Sequence, residues 1–95
     1  MQIGKAVKKL RLKRGYSQKQ LATLMGKSET MVSLIESGKS IPQTTRIKEI
    51  SKALGVTPTY LLLFAVEKED MPADKQVLFD SLLVPLRDAL TEEEQ

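Results

Sequence analysis

The sequence predicts an all-α protein, and three features of the chain support this class. Apolar residues recur every three or four positions, as they do on the buried face of a helix. Serine, threonine or proline stands before several of these stretches, where such residues start helices. Glycine follows most of them, where the chain can leave the helical conformation. A chain of 95 residues with this pattern should form one small domain, with an appendage.

The first three predicted helices follow each other closely. Residues 2–14 form the first, because Ile3, Val7 and Leu10 have the i, i+4, i+7 spacing of an amphipathic helix. Ser17 is a candidate N-cap for the second, which Gly26 should end. The remaining features of this region are a cap at Ser28 and a buried pair, Val32 and Ile35, in the third helix. Two short helices joined by a tight turn predict a helix-turn-helix.

Two further helices should complete the domain, which we place at residues 1–66. Ile47, Ile50 and Leu54 mark the fourth helix by their spacing. Thr57 and Pro58 begin the fifth, since proline at the first helical position loses no hydrogen bond.

Beyond this domain we expect an acidic linker at residues 67–73 and a helical C-terminal extension at residues 74–95. Pro85 interrupts the extension, which predicts either two helices that meet near Leu83 or one kinked helix. Because an apolar stripe is rarely left in water, it should pack on its own domain or on another chain. The stripe consists of Leu78, Phe79, Leu82, Leu83, Leu86 and Leu90.

The charge of the chain is unevenly distributed. Residues 1–55 hold twelve basic and three acidic residues, a net charge of +9, whereas residues 56–95 hold three basic and nine acidic residues, a net charge of −6. A basic half that contains a helix-turn-helix indicates a polyanionic partner such as nucleic acid. Ordinary solubility charge is the alternative interpretation.

Composition argues against several other classes of protein. The chain has no cysteine and no histidine, which removes disulfides, thiol nucleophiles, thiolate zinc sites and the commonest general base. It shows no glycine-rich phosphate loop and no paired carboxylates on one predicted face. We therefore expect no enzymatic activity, no cofactor and no metal. The longest apolar run, residues 60–66, is too short to span a bilayer, and we expect a cytoplasmic protein without membrane contact.

The helix-turn-helix resembles that of the Cro and phage-repressor proteins, the XRE family. The resemblance implies a five-helix, lambda-repressor-like DNA-binding domain with its third helix in the major groove. It further implies a transcriptional regulator that binds double-stranded DNA. The simplest form is a homodimeric repressor that reads an inverted repeat. The matching positions, counted from Gln18, are Ala22, Gly26, Val32 and Ile35.

The same resemblance assigns roles in DNA binding. Glu29, Thr30 and Leu34 match the family's base-reading positions, and Met31 and Ser33 lie close to them. Glu29 stands where well-known members have glutamine, so it could accept from cytosine, act against wrong sites or only stabilise the helix N-terminus. Backbone phosphates should be bound at the matching positions Gln18, Ser28, Ser37, Lys39 and Thr44, and we add Lys19 and Lys27 to this set.

Family members also imply an ion pair and a dimer contact. Arg11 should pair with Glu36, the alternative being that both are solvated. The dimer interface should include the turn before the fifth helix and the tail, at Val56, Pro58, Thr59, Leu78, Phe79, Leu82 and Leu86. A second hypothesis makes the chain an antitoxin or adaptor, whose C-terminal helix binds a partner protein while the first domain regulates its own gene.

Overall fold

The computed structural model describes residues 1–93, with side chains described as far as residue 91. Residues 94 and 95, the end of the predicted extension, lie outside this range. Helices account for the regular structure of the described part, which contains no strand, so the all-α prediction is confirmed. The first five helices are α1 (Ile3–Lys13), α2 (Gln18–Met25), α3 (Glu29–Glu36), α4 (Thr44–Leu54) and α5 (Pro58–Ala65).

The predicted helix starts at Ser17, Ser28 and Thr57 are confirmed. The Ser17 hydroxyl accepts from the Gln20 amide at 3.0 Å, and the Gln20 side chain accepts from the Ser17 amide at 2.7 Å. This reciprocal capping box satisfies two amides that would otherwise lack a partner. Ser28 accepts from the Met31 amide at 3.2 Å, and Thr57 caps α5 in the same way.

Gly26 forms the turn between α2 and α3. Its φ of 66° lies in the left-handed region, where a residue with a Cβ atom is strained. The next amide, that of Lys27, donates back to the Ala22 carbonyl at 2.9 Å and closes the end of α2. Because the turn is so short, α3 begins almost immediately and crosses against α2.

A single apolar core lies between the five helices. α1 packs against α5 and α3, while α2 packs against α3 and α4. Ala22 of α2 is buried, and its small side chain allows a close helix crossing. The buried core residues are Ala6, Val7, Leu10, Leu21, Ala22, Val32, Ile35, Ile50, Leu54, Leu61, Phe64 and Ala65.

Residues 67–73, predicted as a linker, are held at several points. Asp70 lies in a 3₁₀ turn (Lys68–Asp70) and accepts from the terminal amino group of Met1 at 2.7 Å. That ammonium, together with the backbone amide of Glu67, lowers the pKa of the Asp70 carboxyl. Lys68 donates to Asp80 at 2.8 Å, and this hydrogen bond raises the pKa of Lys68. The segment is therefore fixed both to the N-terminal residue and to the C-terminal extension.

The C-terminal extension contains one long helix, α6, at residues 76–93. Its parts are an α-helical turn (Gln76–Leu78), a π-helical segment (Phe79–Leu83) and an α-helix (Val84–Glu93). Pro85 has no amide hydrogen to donate one turn back, and the Val84 amide donates to the Phe79 carbonyl in the widened turn. Of the two predicted alternatives the single helix is observed, and a π-helical segment precedes the proline.

One side of α6 packs on the five-helix domain. Arg87 donates to the carbonyl of Leu63 at 2.8 Å and to that of Val66. Its guanidinium lies 5.0 Å from the centroid of the Phe79 ring, and Phe79 is only 8% exposed. Leu90 packs against the main core. These contacts cap the carbonyl end of α5 and fix the helix to its own domain.

A strip of α6 next to this packed side leaves apolar residues in water. Leu78, Leu82 and Leu86 are 40%, 61% and 46% exposed, and we call these three residues the leucine ridge. Phe79 was predicted in a dimer contact together with them. Because it is buried inside its own chain, it has little surface to offer a second chain. The leucine ridge is thus the part of the predicted tail interface that remains accessible.

Candidate nucleic-acid interface

Helix α3 presents a polar face on the side away from the core. Val32 and Ile35 are 2% and 3% exposed and fix the buried side of the helix. Glu29, Thr30 and Ser33 are exposed on the other side. Since Ser28 caps the first turn, the N-terminal residues of α3 project from a well-defined helix end. An exposed helix of this kind fits the major groove of B-DNA.

Met31 differs from the other predicted base-reading residues. It is partly buried and packs against the core cluster. Its position one residue after Thr30 turns it about 100° around the helix, toward α4 rather than outward. The exposed face therefore retains Glu29, Thr30, Ser33 and Leu34, and does not include Met31.

An open groove runs between the start of α2 and the exposed face of α3. Its volume is about 280 Å³, and it combines carboxylate, hydroxyl, amide and aliphatic groups. Hydroxyl and amide groups can exchange hydrogen bonds with base edges, and an aliphatic side chain can contact a thymine methyl group. The lining residues are Gln18, Glu29, Thr30, Ser33 and Leu34.

Arg11 and Glu36 form a buried, bidentate ion pair next to Gln18, one of the residues that line this groove. Arg11 Nε donates to Glu36 Oε2 at 2.6 Å, and Arg11 Nη2 donates to Glu36 Oε1 at 3.0 Å. The two side chains are 8% and 3% exposed. Arg11 Nη1 also donates to the Tyr16 carbonyl at 2.8 Å. The pair thereby connects α1, the turn before α2 and the end of α3.

Gln18 extends the same network to the surface. Its side-chain amide donates to Glu36 Oε1 at 3.1 Å, so one of its two amide hydrogens is committed inside the protein. The first-turn amides of α2, at Gln18 and Lys19, lie at a helix start, which favours an anion. Gln18 is consequently held in place beside the groove before any DNA arrives.

The other predicted phosphate-binding residues surround α3. Lys19, Lys39 and Thr44 are exposed on α2, after α3 and at the start of α4. The Ser37 hydroxyl donates to the Leu34 carbonyl at 3.1 Å, so this proton is already used. Lys27 Nζ lies 3.9 Å from Glu49 Oε2, a contact that no sequence pattern predicted.

Several cations of the basic half serve the fold instead of this face. Lys9 Nζ lies 5.3 Å from the centroid of the Phe64 ring on α5. Lys13 Nζ donates to the Thr91 carbonyl of α6 at 3.3 Å, and Arg14 Nε donates to the Leu54 carbonyl at 2.9 Å. Part of the +9 charge of residues 1–55 is therefore directed at α4, α5 and α6.

The described residues lack two other features. No cluster of acidic side chains there could hold a metal ion. None of the described helices combines the length and the apolar composition needed to cross a membrane.

A capped helix pair, a polar outer face on its second helix and a groove at its junction define a helix-turn-helix DNA-binding protein. Residues 7–61 match the family model described as "Helix-turn-helix", HTH_3, and this stretch is more than half of the 95 residues. The chain belongs to this family, the Cro/C1-type or XRE helix-turn-helix proteins, and is a DNA-binding regulator. No curated protein matches the chain. No solved structure matches it either.

Proposed function

We propose that the chain is a dimeric transcriptional repressor that reads an inverted repeat in double-stranded DNA. The observation that carries this proposal is the exposed face of α3 beside Gln18, with the cap of Ser28 at its start. In this arrangement α3 enters the major groove, and Thr30, Ser33 and Leu34 contact base edges. Lys19, Lys39 and Thr44 contact phosphates and fix the register of α3.

Two domains are needed because one α3 covers only a few base pairs. A second protomer related by a dyad would read the other half-site, about one helical turn away. Two surfaces support the pairing: the turn before α5, with Val56, Pro58 and Thr59, and the leucine ridge. Repression follows where such an operator overlaps a promoter.

The leucine ridge also supports the second candidate function. A ridge that is accessible on a helix already fixed to its own domain could receive a different protein. In that case α6 binds the partner, and the helix-turn-helix domain regulates the gene of the pair, as in an antitoxin or adaptor. The two functions share the DNA interface and differ only in what covers α6.

The DNA interface is tested with a matched pair of variants, Thr30→Ala and Lys39→Ala. Thr30→Ala should change the preferred base at one operator position, because only base contacts carry sequence information. Lys39→Ala should weaken binding to every duplex and reduce the log–log salt slope by about 1 for each protomer. Fluorescence anisotropy on selected operators and on random duplex, at several salt concentrations, measures both effects.

Competitor-resistant binding by the wild-type chain supports a sequence-specific regulator. If random duplex displaces all bound operator, the proposal of specific reading by α3 is wrong. A selected-site preference of Thr30→Ala identical to that of the wild type would remove Thr30 from the base-reading set. An unchanged salt slope for Lys39→Ala would remove Lys39 from the phosphate contacts.

The dimer is tested by Leu82→Gln, with Ser81→Gln as the control on the same helix. Leu82 is 61% exposed, so its replacement should leave the fold intact while placing an amide in the proposed interface. We expect the dimer dissociation constant to rise about tenfold, and Ser81→Gln to have little effect. Sedimentation equilibrium gives both constants. Equal dimerisation of Leu82→Gln and wild type would exclude the leucine ridge from the homodimer and favour the partner-binding function.

A further inference from the structure

Glu49 holds two basic side chains next to the DNA-binding face. Arg46 Nη1 donates to both carboxylate oxygens of Glu49, at 3.1 and 3.3 Å. Lys27 Nζ lies 3.9 Å from Glu49 Oε2. The Glu49 side chain is 34% exposed, so its negative charge can repel an anion that approaches from solvent. Glu49 therefore joins α4 to the turn that precedes α3.

The cluster lies on the side of α3 that carries Met31, away from the groove that Gln18 lines. Arg46 and Glu49 line an open cavity of about 330 Å³, together with Met31 and Ile35 of α3 and with residues 40–43 and 45. Lys27 directly precedes Ser28, the cap of α3. With α3 in the major groove, basic side chains beside it would be placed to contact the DNA backbone that borders the groove.

Glu49 is unusual among the acidic residues of the basic half. Residues 1–55 contain three acidic residues, Glu29, Glu36 and Glu49. Glu36 is buried and neutralised by Arg11, and Glu29 stands in the first turn of α3, where the helix dipole favours it. Glu49 lies in the middle of α4 and helps no helix end. Its negative charge instead offsets the positive charge of Arg46 and Lys27, which would attract DNA phosphates.

We propose that Glu49 lowers the affinity of this protein for the DNA backbone, by occupying Arg46 and Lys27 and by repelling phosphate. This inference rests on the proposed DNA-binding function and adds a residue that sets its strength. A phosphate must compete with the Glu49 carboxylate for both cations. The effect is independent of base sequence, since all duplexes present the same phosphates.

Weaker backbone binding has a physical use. Non-specific affinity comes almost entirely from phosphate contacts, whereas specific affinity also includes base contacts. A regulator competes against a very large number of non-specific sites. A carboxylate that limits phosphate contacts lowers the affinity for all duplexes by the same factor, and it thereby shortens the time that the chain spends on DNA that its α3 does not recognise.

The test compares Glu49→Gln with Asp88→Asn, an exposed residue of α6, in the full chain. Both changes remove one negative charge, but only the first is beside α3. At low salt Glu49→Gln should bind random duplex about three- to tenfold more tightly, with a log–log salt slope steeper by about 1 for each protomer. Asp88→Asn should bind as the wild type does. Anisotropy titrations on a random 20-base-pair duplex measure both quantities, and matching melting temperatures show that the fold is retained.

A second variant identifies which cation is released when Glu49 is replaced. In the Lys27→Met background, Glu49→Gln should gain less affinity than in the wild type, because only Arg46 remains to be released. Affinity equal to or below that of the wild type in Glu49→Gln would overturn the inference, as would an equal gain in Asp88→Asn. If neither the wild type nor Glu49→Gln binds any duplex, the proposed DNA-binding function fails first and the inference fails with it.

Discussion

Replacing Glu36 with alanine is expected to lower the free energy of unfolding by about 3–5 kcal/mol. Glu36 accepts three hydrogen bonds, two from Arg11 and one from Gln18. The Arg11 residue is 7% exposed, and its guanidinium would remain buried without its counterion. An uncompensated charge of this kind costs far more than the loss of an exposed ion pair. For a domain with a typical stability of about 5–15 kcal/mol, the change would remove a large part of the total.

Urea denaturation followed by circular dichroism measures this loss, with Glu69→Ala as the control. Glu69 is an exposed acidic residue, so its removal should leave the unfolding midpoint nearly unchanged. The double variant Arg11→Met, Glu36→Leu should be more stable than Glu36→Ala, because it leaves no buried charge without a partner. A loss of less than about 1 kcal/mol for Glu36→Ala would show that the pair contributes no more than an exposed one.

The features that the sequence predicted well are those that depend on neighbouring residues. Ser17 with Gln20 forms a capping box, Gly26 adopts a left-handed conformation and Thr57 starts α5, and each effect acts within one turn of helix. The spacing of Val32 and Ile35 likewise fixes which side of α3 is buried. Local chemistry of this kind defines the helix-turn-helix and therefore the family.

Features that depend on contacts between distant segments could not be read in the same way. Nothing near Met31 in the sequence shows that it packs on the core, and nothing near Glu49 shows that Lys27 lies beside it. In the tail, the apolar stripe predicted burial without showing which leucines would be covered. The hydrogen bond from Arg87 to the Leu63 carbonyl of α5 and the burial of Phe79 beside Arg87 decide that. The leucine ridge is the part that stays exposed.

Gly4 is the residue whose importance the sequence conceals most. It lies in the first turn of α1, where alanine would ordinarily stabilise a helix by about 1 kcal/mol. A Cβ atom at this position, however, would come closer than 3.0 Å to the carbonyl oxygens of Ile35 and Glu36. Those oxygens belong to the backbone at the end of α3 and cannot rotate away as a side chain could. The absence of a side chain is therefore what lets α1 lie directly on α3.

We expect Gly4→Ala to lower the free energy of unfolding by about 1–3 kcal/mol, since α1 and α3 must move apart. Lys8→Ala is the matched control: it also places alanine in α1, but at an exposed position. It should leave stability unchanged or raise it slightly. Urea denaturation again gives the free energies of unfolding. A Gly4→Ala variant as stable as Lys8→Ala would show that α1 and α3 can move apart without loss of stability.

The contact at Gly4 and the Arg11–Glu36 pair hold the same end of α3, which predicts that they are coupled. Movement of α3 away from α1 would lengthen the hydrogen bonds between Arg11 and Glu36, so Gly4→Ala should already weaken the ion pair. Glu36→Ala should then cost less in the Gly4→Ala background than in the wild type, by about 0.5–3 kcal/mol. Strict additivity in this double-mutant cycle would mean that α3 keeps its place and that only local strain is added. Coupling would instead show that the exposed face of α3 is positioned by its packing on α1.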